Sequence, residues 1–181
     1  MKFLKRFVLF LLLLVLALVL IGFYVLPDEA RVERDALVDA PPAEVFPYLS
    51  DFRRFNQWSP WSDWAPDIEY DYSGPESGVG ARMSWHSENP EVGTGSILIT
   101  ESRPPERVVM RLELGPQGDA ASSFEVEPAG NGSRVVWSFR TEFGNNVIKR
   151  YFGLMLERWV GQDYEQGLQN LKALVEGKSD E

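Results

Sequence analysis

Cysteine is absent from this chain of 181 residues, and histidine occurs only once. Without cysteine the protein has no disulfides, no thiol nucleophile and no cysteine-ligated metal. A metal site would have to combine His86 with Glu88 or Glu91, and no further strong ligand accompanies them. We therefore predict no metal site and no cofactor, and we expect His86 on the wet face of a strand.

Catalytic motifs are missing as well. The sequence has no Gly-x-Ser-x-Gly, no phosphate-binding loop and no Gly-x-Gly-x-x-Gly, and no two carboxylates have a spacing that suits paired acid–base work. The side chains that could move protons are Tyr48, Tyr70, Tyr72, Arg82, Tyr151 and Glu157. We interpret each as a rim, surface or packing residue, name no catalytic residue, and favour a binding role over an enzymatic one.

Positive charge is scarce over most of the chain. Basic residues number 18 against 27 acidic ones, and three of the basic residues, Lys2, Lys5 and Arg6, stand at the very start. The rest therefore carries 15 basic against 27 acidic residues, a net charge of −12. Such a domain is repelled by nucleic-acid phosphates and by anionic headgroups. The composition argues against a nucleic-acid partner.

The one long apolar run, residues 7–26, contains no charge and no strongly polar group. Twenty helical residues are about 30 Å long, which matches the hydrocarbon core of a bilayer. We predict a single transmembrane helix, with the basic residues 1–6 in the cytoplasm and the remainder outside it, in the periplasm if the source is Gram-negative. A cleaved signal peptide is the alternative, but its apolar region is usually shorter and ends in a small-x-small site.

We divide the rest into a linker at 27–30, a single domain at 31–176 and a flexible tail at 177–181. The linker is short enough to hold the domain near the bilayer surface. Alternating and helical patterns predict seven strands and three helices. The strands are expected at 31–38, 68–72, 81–86, 93–100, 108–114, 123–127 and 135–143, and the helices at 42–49, 52–58 and 146–176. This order indicates an α+β fold, with a curved antiparallel sheet of six or seven strands around a long C-terminal helix.

The gap between such a sheet and its helix is a natural place for a cavity, and bulky side chains dominate the faces that should point into it. The candidate lining consists of Trp58, Trp61, Met83, Trp85, Met110, Phe124, Trp137, Phe139, Phe143, Phe152, Met155 and Trp159. On the long helix, Ile148 extends the stripe of the last three, and Gly161 predicts a bend or a close approach of the sheet. The register of strand 93–100 stays open, because Ile97 and Ile99 face opposite to Leu98.

Three of the six tryptophans lie within seven residues, at Trp58, Trp61 and Trp64. A buried tryptophan removes about 150–250 Å² from water, so at least two of the three should be covered. Three interpretations remain open. Trp58 and Trp61 are ordinary core, or they line the mouth of a tunnel and touch ligand, or Trp64 and its neighbours face the bilayer as an interfacial anchor.

Several segments resemble one known superfamily. Residues 40–51 (APPAEVFPYLSD) and 56–61 (NQWSPW) are similar to the opening of START-like proteins, also called SRPBCC or polyketide cyclase/dehydrase proteins. Residues 80–85 (GARMSW), 93–96 (GTGS) and 101–108 (ESRPPERV) resemble later strands and a turn of the same fold. The resemblance covers about residues 31–176. It implies a helix-grip fold, in which a seven-stranded sheet grips the C-terminal helix around a hydrophobic tunnel that binds lipids, sterols, polyketides or aromatic molecules.

Three hypotheses about function follow. The leading one is a single-pass membrane protein whose domain binds a small hydrophobic or amphipathic ligand, a lipid or an aromatic polyketide-like compound. The second is a cyclase or dehydratase, which requires a polar side chain with a perturbed pKa inside the cavity. The third is an interaction module whose cavity is filled by its own side chains. The sequence names no protein partner.

Overall fold

The computed structural model of the protein describes residues 2–62, 64, 67–89, 92–115 and 118–177. Glu91 and residues 178–181 of the predicted tail lie outside these ranges. The chain begins with helix α1 (Lys2–Tyr24), which by length and composition could cross a bilayer. Its apolar side chains are exposed over nearly its whole length, because its contacts with the domain fall at its C-terminal end.

A seven-stranded antiparallel sheet follows, as predicted. Its strands are β1 (Glu29–Val38), β2 (Glu69–Ser73), β3 (Arg82–His86), β4 (Thr94–Arg103), β5 (Arg107–Glu113), β6 (Asp119–Ala129) and β7 (Gly132–Glu142). The spatial order is β1-β7-β6-β5-β4-β3-β2. Strands β2 to β7 form a meander of hairpins, and β1 forms one edge of the sheet by pairing along β7. The alternation of apolar and polar residues explains this arrangement, because one face of each strand is buried and the other is wet.

Three helices complete the described part of the domain: α2 (Pro42–Ser50), α3 (Phe52–Phe55) and α4 (Val147–Val175). Pro42 occupies the first turn of α2, where a missing N–H costs nothing. The second helix is shorter than the predicted 52–58. Asp51 caps it through Arg53 N, but beyond Phe55 the backbone continues in turns toward Pro60, because the residue before a proline disfavours helix.

The strand register defines two ends of the sheet. Glu29 at the start of β1 pairs with Glu142 at the end of β7. Asp119 at the start of β6 pairs with Glu113 at the end of β5, and the β3–β4 connection lies at the same end. We call this the proximal end, because β1 enters it directly from α1 and α4 begins there. The distal end holds the β6–β7 hairpin, whose two turn residues are Gly130 and Asn131.

Helix α4 packs most closely on the concave face of the sheet along its second half. Tyr164, Leu168 and Leu171 are buried there, and Gly167 brings the helix so close that a Cβ would lie 2.8 Å from the ring of Trp137. Gly161 marks a close approach, as predicted, but by the side chain of Arg34 rather than by the sheet backbone. The distal half of the domain is therefore a filled core.

The first half of α4 stands away from the sheet, and this corrects the predicted orientation. The prediction turned one apolar stripe inward: Ile148, Phe152, Met155 and Trp159. These side chains are 80%, 56%, 47% and 42% exposed. Leu156 and Val160 face the sheet instead, each one position after a stripe residue, which is about 100° round the helix axis. In β4 the open register is resolved, because Ile97 and Ile99 are buried.

Candidate functional site

A cavity of about 260 Å³ lies between the proximal half of the sheet and α4. It exists because α4 leaves the sheet before Gly161 while the curved strands continue toward the proximal end. The interior is therefore not filled by the protein's own side chains. Its walls are formed by Phe55, Asn56, Ser59, Trp61, Trp64, Ile68, Tyr70, Met83, Trp85, Val92, Ile97, Leu112, Leu114, Phe139, Leu156, Val160, Asp163 and Tyr164.

Three layers contribute to this wall. The concave faces of β2 to β5 and β7 supply one side, and Leu156 and Val160 of α4 supply the opposite side. The segment after α3 covers the space between them. Nearly all of these side chains are aliphatic or aromatic, so the cavity is an apolar site with few polar groups. A second cavity of about 60 Å³ beside Phe52, Tyr72 and Arg82 has room for only a few waters.

The three clustered tryptophans have three different positions. Trp58 is 1% exposed, donates from Nε1 to the carbonyl of Tyr48 at 3.0 Å, and packs edge-on against Trp137. Trp61 is half-buried in the cavity wall and packs edge-on against Tyr164. Trp64 is 49% exposed at the rim. One residue is thus core, one is wall and one is rim.

Trp85 reaches the cavity wall because its cross-strand neighbour has no side chain. Trp85 of β3 pairs with Gly95 of β4, and the indole lies across that glycine. A Cβ at residue 95 would overlap the ring carbons. The indole Nε1 donates to the carbonyl of Val92 at 3.4 Å, which ties the ring to the β3–β4 connection.

Among the wall residues that the structure describes, Asp163 is the one carboxylate. It accepts a hydrogen bond from Nε1 of Trp61 at 3.2 Å. Burial raises the pKa of Asp163 above its usual range, and the hydrogen bond from Trp61 opposes this rise only in part. The site therefore holds a carboxylate that is poorly solvated, which disfavours a second negative charge beside it.

Tyr164 is held by a saturated hydrogen-bond network at the back of the cavity. Ser122 Oγ donates to the carbonyl of Ser138 at 3.0 Å and accepts from Trp137 Nε1 at 2.9 Å. Its remaining partner is the hydroxyl of Tyr164 at 3.2 Å, which must then be the donor. The ring stacks on Trp137 with centroids 3.7 Å apart, and burial raises the pKa of Tyr164. The phenol of Tyr164 is thus a fixed and neutral part of the cavity wall.

A family model described as polyketide cyclase/dehydrase and lipid transport matches residues 29–176. The chain belongs to this family. The match begins at the first residue of β1 and extends one residue beyond α4, so it covers the whole domain outside α1. No curated protein matches the chain.

Solved structures share the fold of this family member at low sequence identity. A protein of unknown function from Staphylococcus aureus has a TM-score of 0.62 and 13% identity, with coverage of 82% of this chain and 94% of that one. Ara h 8.0201 has a TM-score of 0.59 and 13% identity, with coverage of 82% and 99%. The Aha1 dimer of Colwellia psychrerythraea has a TM-score of 0.57 and 16% identity, with coverage of 83% and 99%. At these identities the likeness concerns the fold alone.

The twelve lining residues predicted for this polyketide cyclase/dehydrase-type domain separate into three groups. In the cavity wall are Trp61, Met83, Trp85 and Phe139. In the core behind it are Trp58, Met110, Phe124 and Trp137. Outside it on or near α4 are Phe143, Phe152, Met155 and Trp159, of which Phe143 packs against Gly153. The prediction did not include the other wall residues, among them Asp163, Leu156 and Val160. Leu156 and Val160 were missed because helical spacing allows two adjacent apolar faces and does not say which one meets the sheet.

The predicted proton-transfer candidates are dispersed over the family fold. Of them, Tyr70 lines the large cavity. The hydroxyl of Tyr72 accepts from Asn56, Arg82 bonds Ser96 and Glu113, and the ring of Tyr48 lies under Arg54. Tyr151 donates to the carbonyl of Leu18, and Glu157 pairs with Arg34. The exposed His86 bonds Thr94, and the described part of the chain contains no cluster of metal ligands.

Proposed function

We propose that this protein binds a small, neutral, largely apolar molecule in its cavity while α1 anchors it in a membrane. The observation that carries the binding proposal is an open cavity of about 260 Å³ with aromatic and aliphatic walls. Small-molecule sites are typically concave and apolar, with a few convergent polar groups. Lipid transport and polyketide chemistry in the family description fit a ligand of this kind.

The volume limits the size of the guest. An apolar cavity of about 150 Å³ holds benzene, so six carbons need about 150 Å³. A cavity of about 260 Å³ then corresponds to about ten carbons. Burying ten carbons at about 0.8 kcal/mol each contributes about 8 kcal/mol before the cost of association. The enclosed part of a ligand therefore supports an affinity no tighter than about micromolar.

The polar groups favour a neutral ligand that can donate a hydrogen bond. The pKa of Asp163 is raised by burial, so an anionic ligand beside it would meet an already costly negative charge. The N–H of Trp61 is occupied by the same carboxylate. A hydroxyl group on the ligand can share the remaining acceptor positions of Asp163.

A calorimetric series tests the binding proposal. Full-length protein in phosphatidylcholine nanodiscs is titrated with naphthalene, 2-naphthol and 2-naphthoate, with empty nanodiscs as the partition control. The three probes share a ten-carbon body and differ only in the polar group. We expect 2-naphthol to bind most tightly and 2-naphthoate most weakly. Heats equal to those of empty nanodiscs for all three probes would refute the proposal.

The anchoring proposal is supported by α1 and by its junction with the domain. Arg150 is 8% exposed and donates to the carbonyls of Phe23 and Leu26, so it caps the C-terminal end of α1. The basic residues before α1 favour a cytoplasmic N-terminus and a domain outside the cytoplasm.

We expect the protein to stay in the pellet after alkaline carbonate extraction, with an intact mass that includes residues 1–26. A soluble protein lacking them would indicate a cleaved signal peptide.

One observation favours enzymatic activity as a second candidate function. Asp163 is a cavity-lining carboxylate with a raised pKa, the signature expected of a general acid or base. The described wall offers it no second carboxylate as a partner. A cyclase or dehydratase reaction should be lost in Asp163→Asn while binding of the substrate persists. Full turnover in that variant would remove Asp163 from the mechanism.

A further inference from the structure

We infer that the first half of α4, residues 147–160, lies in the lipid interface beside α1, with its apolar stripe against the bilayer. The inference rests on the proposed anchoring of α1 and goes beyond it, because it assigns a second membrane-contacting element. The stripe is the set Ile148, Phe152, Met155 and Trp159. Its occupant is the acyl-chain and headgroup boundary of the leaflet in which α1 ends.

The stripe is too apolar and too exposed for an ordinary surface. Its four side chains are between 42% and 80% exposed, and they lie within about 60° of one another round the helix axis. Phe152 and Trp159 contact each other edge-on, with centroids 5.5 Å apart. Leu154 on the next face is 59% exposed as well. Soluble proteins rarely expose a contiguous patch of this kind unless it contacts a protein or a membrane.

Contacts with α1 put this half-helix at the level of the apolar run. Tyr151 donates from its hydroxyl to the carbonyl of Leu18 at 2.7 Å. Leu18 precedes the end of α1 at Tyr24 by six residues, which is about 9 Å along a helix. Gly22 lets the helices touch, because a Cβ there would overlap Val147 and Tyr151. If α1 spans the bilayer, the start of α4 must enter the same leaflet.

The charge of this half-helix also fits a lipid surface. Residues 147–160 contain Lys149, Arg150 and Arg158 against Glu157, a net charge of +2, whereas the chain after the apolar run has −12. Basic residues flanking an apolar, tryptophan-containing face are typical of interfacial helices. The face thus offers local attraction in a domain that anionic headgroups otherwise repel.

The arrangement has a consequence for ligand access. Leu156 and Val160 line the cavity one position after Met155 and Trp159 of the stripe. A half-helix resting on lipid would hold the proximal mouth of the cavity at the membrane surface. An apolar ligand could then enter from the leaflet without crossing water.

The absence of cysteine makes a site-specific test direct, because every introduced thiol is the only one. Single variants Phe152→Cys and Met155→Cys are labelled with a nitrobenzoxadiazole fluorophore and reconstituted at full length. The vesicles contain phosphatidylcholine and phosphatidylglycerol, with or without doxyl-labelled lipid as a quencher. Leu14→Cys in α1 is the bilayer control, and Gln169→Cys on the exposed face of the second half of α4 is the water control. Circular dichroism verifies that each variant is folded.

We expect labels at residues 152 and 155 to be quenched by doxyl lipid as strongly as the label at residue 14, and the label at 169 to be unaffected. Quenching at 14 with none at 152 and 155 would overturn the inference and leave the anchor intact. If those two labels were also shielded from aqueous iodide, the face would be covered by a second copy of the chain. Absence of quenching at 14 would overturn both the anchor and the inference, and the nanodisc titrations judge ligand binding independently.

Discussion

Replacing Leu112 by tryptophan should close the cavity to a ligand without unfolding the protein. Leu112 lies on β5, the central strand of the sheet, and its half-buried side chain forms part of the cavity wall. Leucine has four side-chain atoms other than hydrogen and tryptophan has ten. The six additional atoms equal a benzene ring, which needs about 150 Å³ of apolar cavity. About 110 Å³ of the 260 Å³ would then remain.

The loss of affinity follows from the displaced atoms. A ten-carbon probe such as 2-naphthol would lose room for about six carbons, worth about 5 kcal/mol at about 0.8 kcal/mol each. This corresponds to more than a thousandfold weaker binding, which calorimetry would register as no binding. Leu112→Phe adds three atoms and should weaken binding about 50-fold by the same arithmetic. The free energy of unfolding should hardly fall, because the new ring fills a void instead of overpacking a filled core.

A matched control exists on the outer surface. Leu37 of β1 is 59% exposed, so Leu37→Trp makes the same chemical change away from the cavity. It should bind 2-naphthol as the natural protein does. If folded Leu112→Trp also bound 2-naphthol with unchanged affinity, the probe would not occupy this cavity, and our assignment of the site would be wrong.

Three further predictions concern the polar and close-packed positions around the site. Burial raises the pKa of Asp163, so its ionised form destabilises the fold above that pKa. Asp163→Asn should therefore have a higher Tm than the natural protein at pH 7, and the two Tm values should converge at about pH 4. A difference in Tm that does not change with pH would contradict the reasoning. Gly95→Val should displace Trp85 from the cavity wall, which would weaken 2-naphthol binding and lower the free energy of unfolding by about 1–3 kcal/mol. An unchanged Tm and an unchanged affinity would argue against the close contact. Arg150→Met should lower the free energy of unfolding by about 1.5–3 kcal/mol and speed proteinase K cleavage between α1 and β1, because α1 loses its C-terminal cap. An unaltered cleavage rate would exclude a capping role for Arg150.

The sequence predicted the strands well because each has a strong local signal. Alternation placed β2 to β7 within a few residues of their observed bounds. The Asn131-Gly132 signal predicted the β6–β7 hairpin one residue too late, because the turn residues are Gly130 and Asn131. The short helix after Asp51 was predicted too long, since turn bonds after Phe55 compete closely with helical ones. Such boundaries depend on small energy differences that sequence patterns do not resolve.

The candidate site was predicted only in part, and the errors share a physical origin. Trp58 and Trp61 have the same residue type three positions apart, yet Trp58 is core and Trp61 faces the cavity. Asp163 gave no signal in the sequence, because its importance comes from burial and from the indole N–H beside it. The burial of a side chain and its hydrogen-bond partners depend on which distant elements pack together. A local sequence pattern therefore does not predict them.

The resemblance to START-like proteins implied the helix-grip arrangement. The sequence alone determined the apolar N-terminal helix, the alternating strands, the long last helix and thereby the α+β class. These features follow from local periodicity and from the need to bury one face of each element. Only the tertiary structure decided the angular position of α4 and the hollow beneath its first half. The helix has two adjacent apolar faces, and the close approach at Gly161 and Gly167 determines which of them turns toward the sheet. A void is the space that packed elements leave between them, and no single residue encodes it.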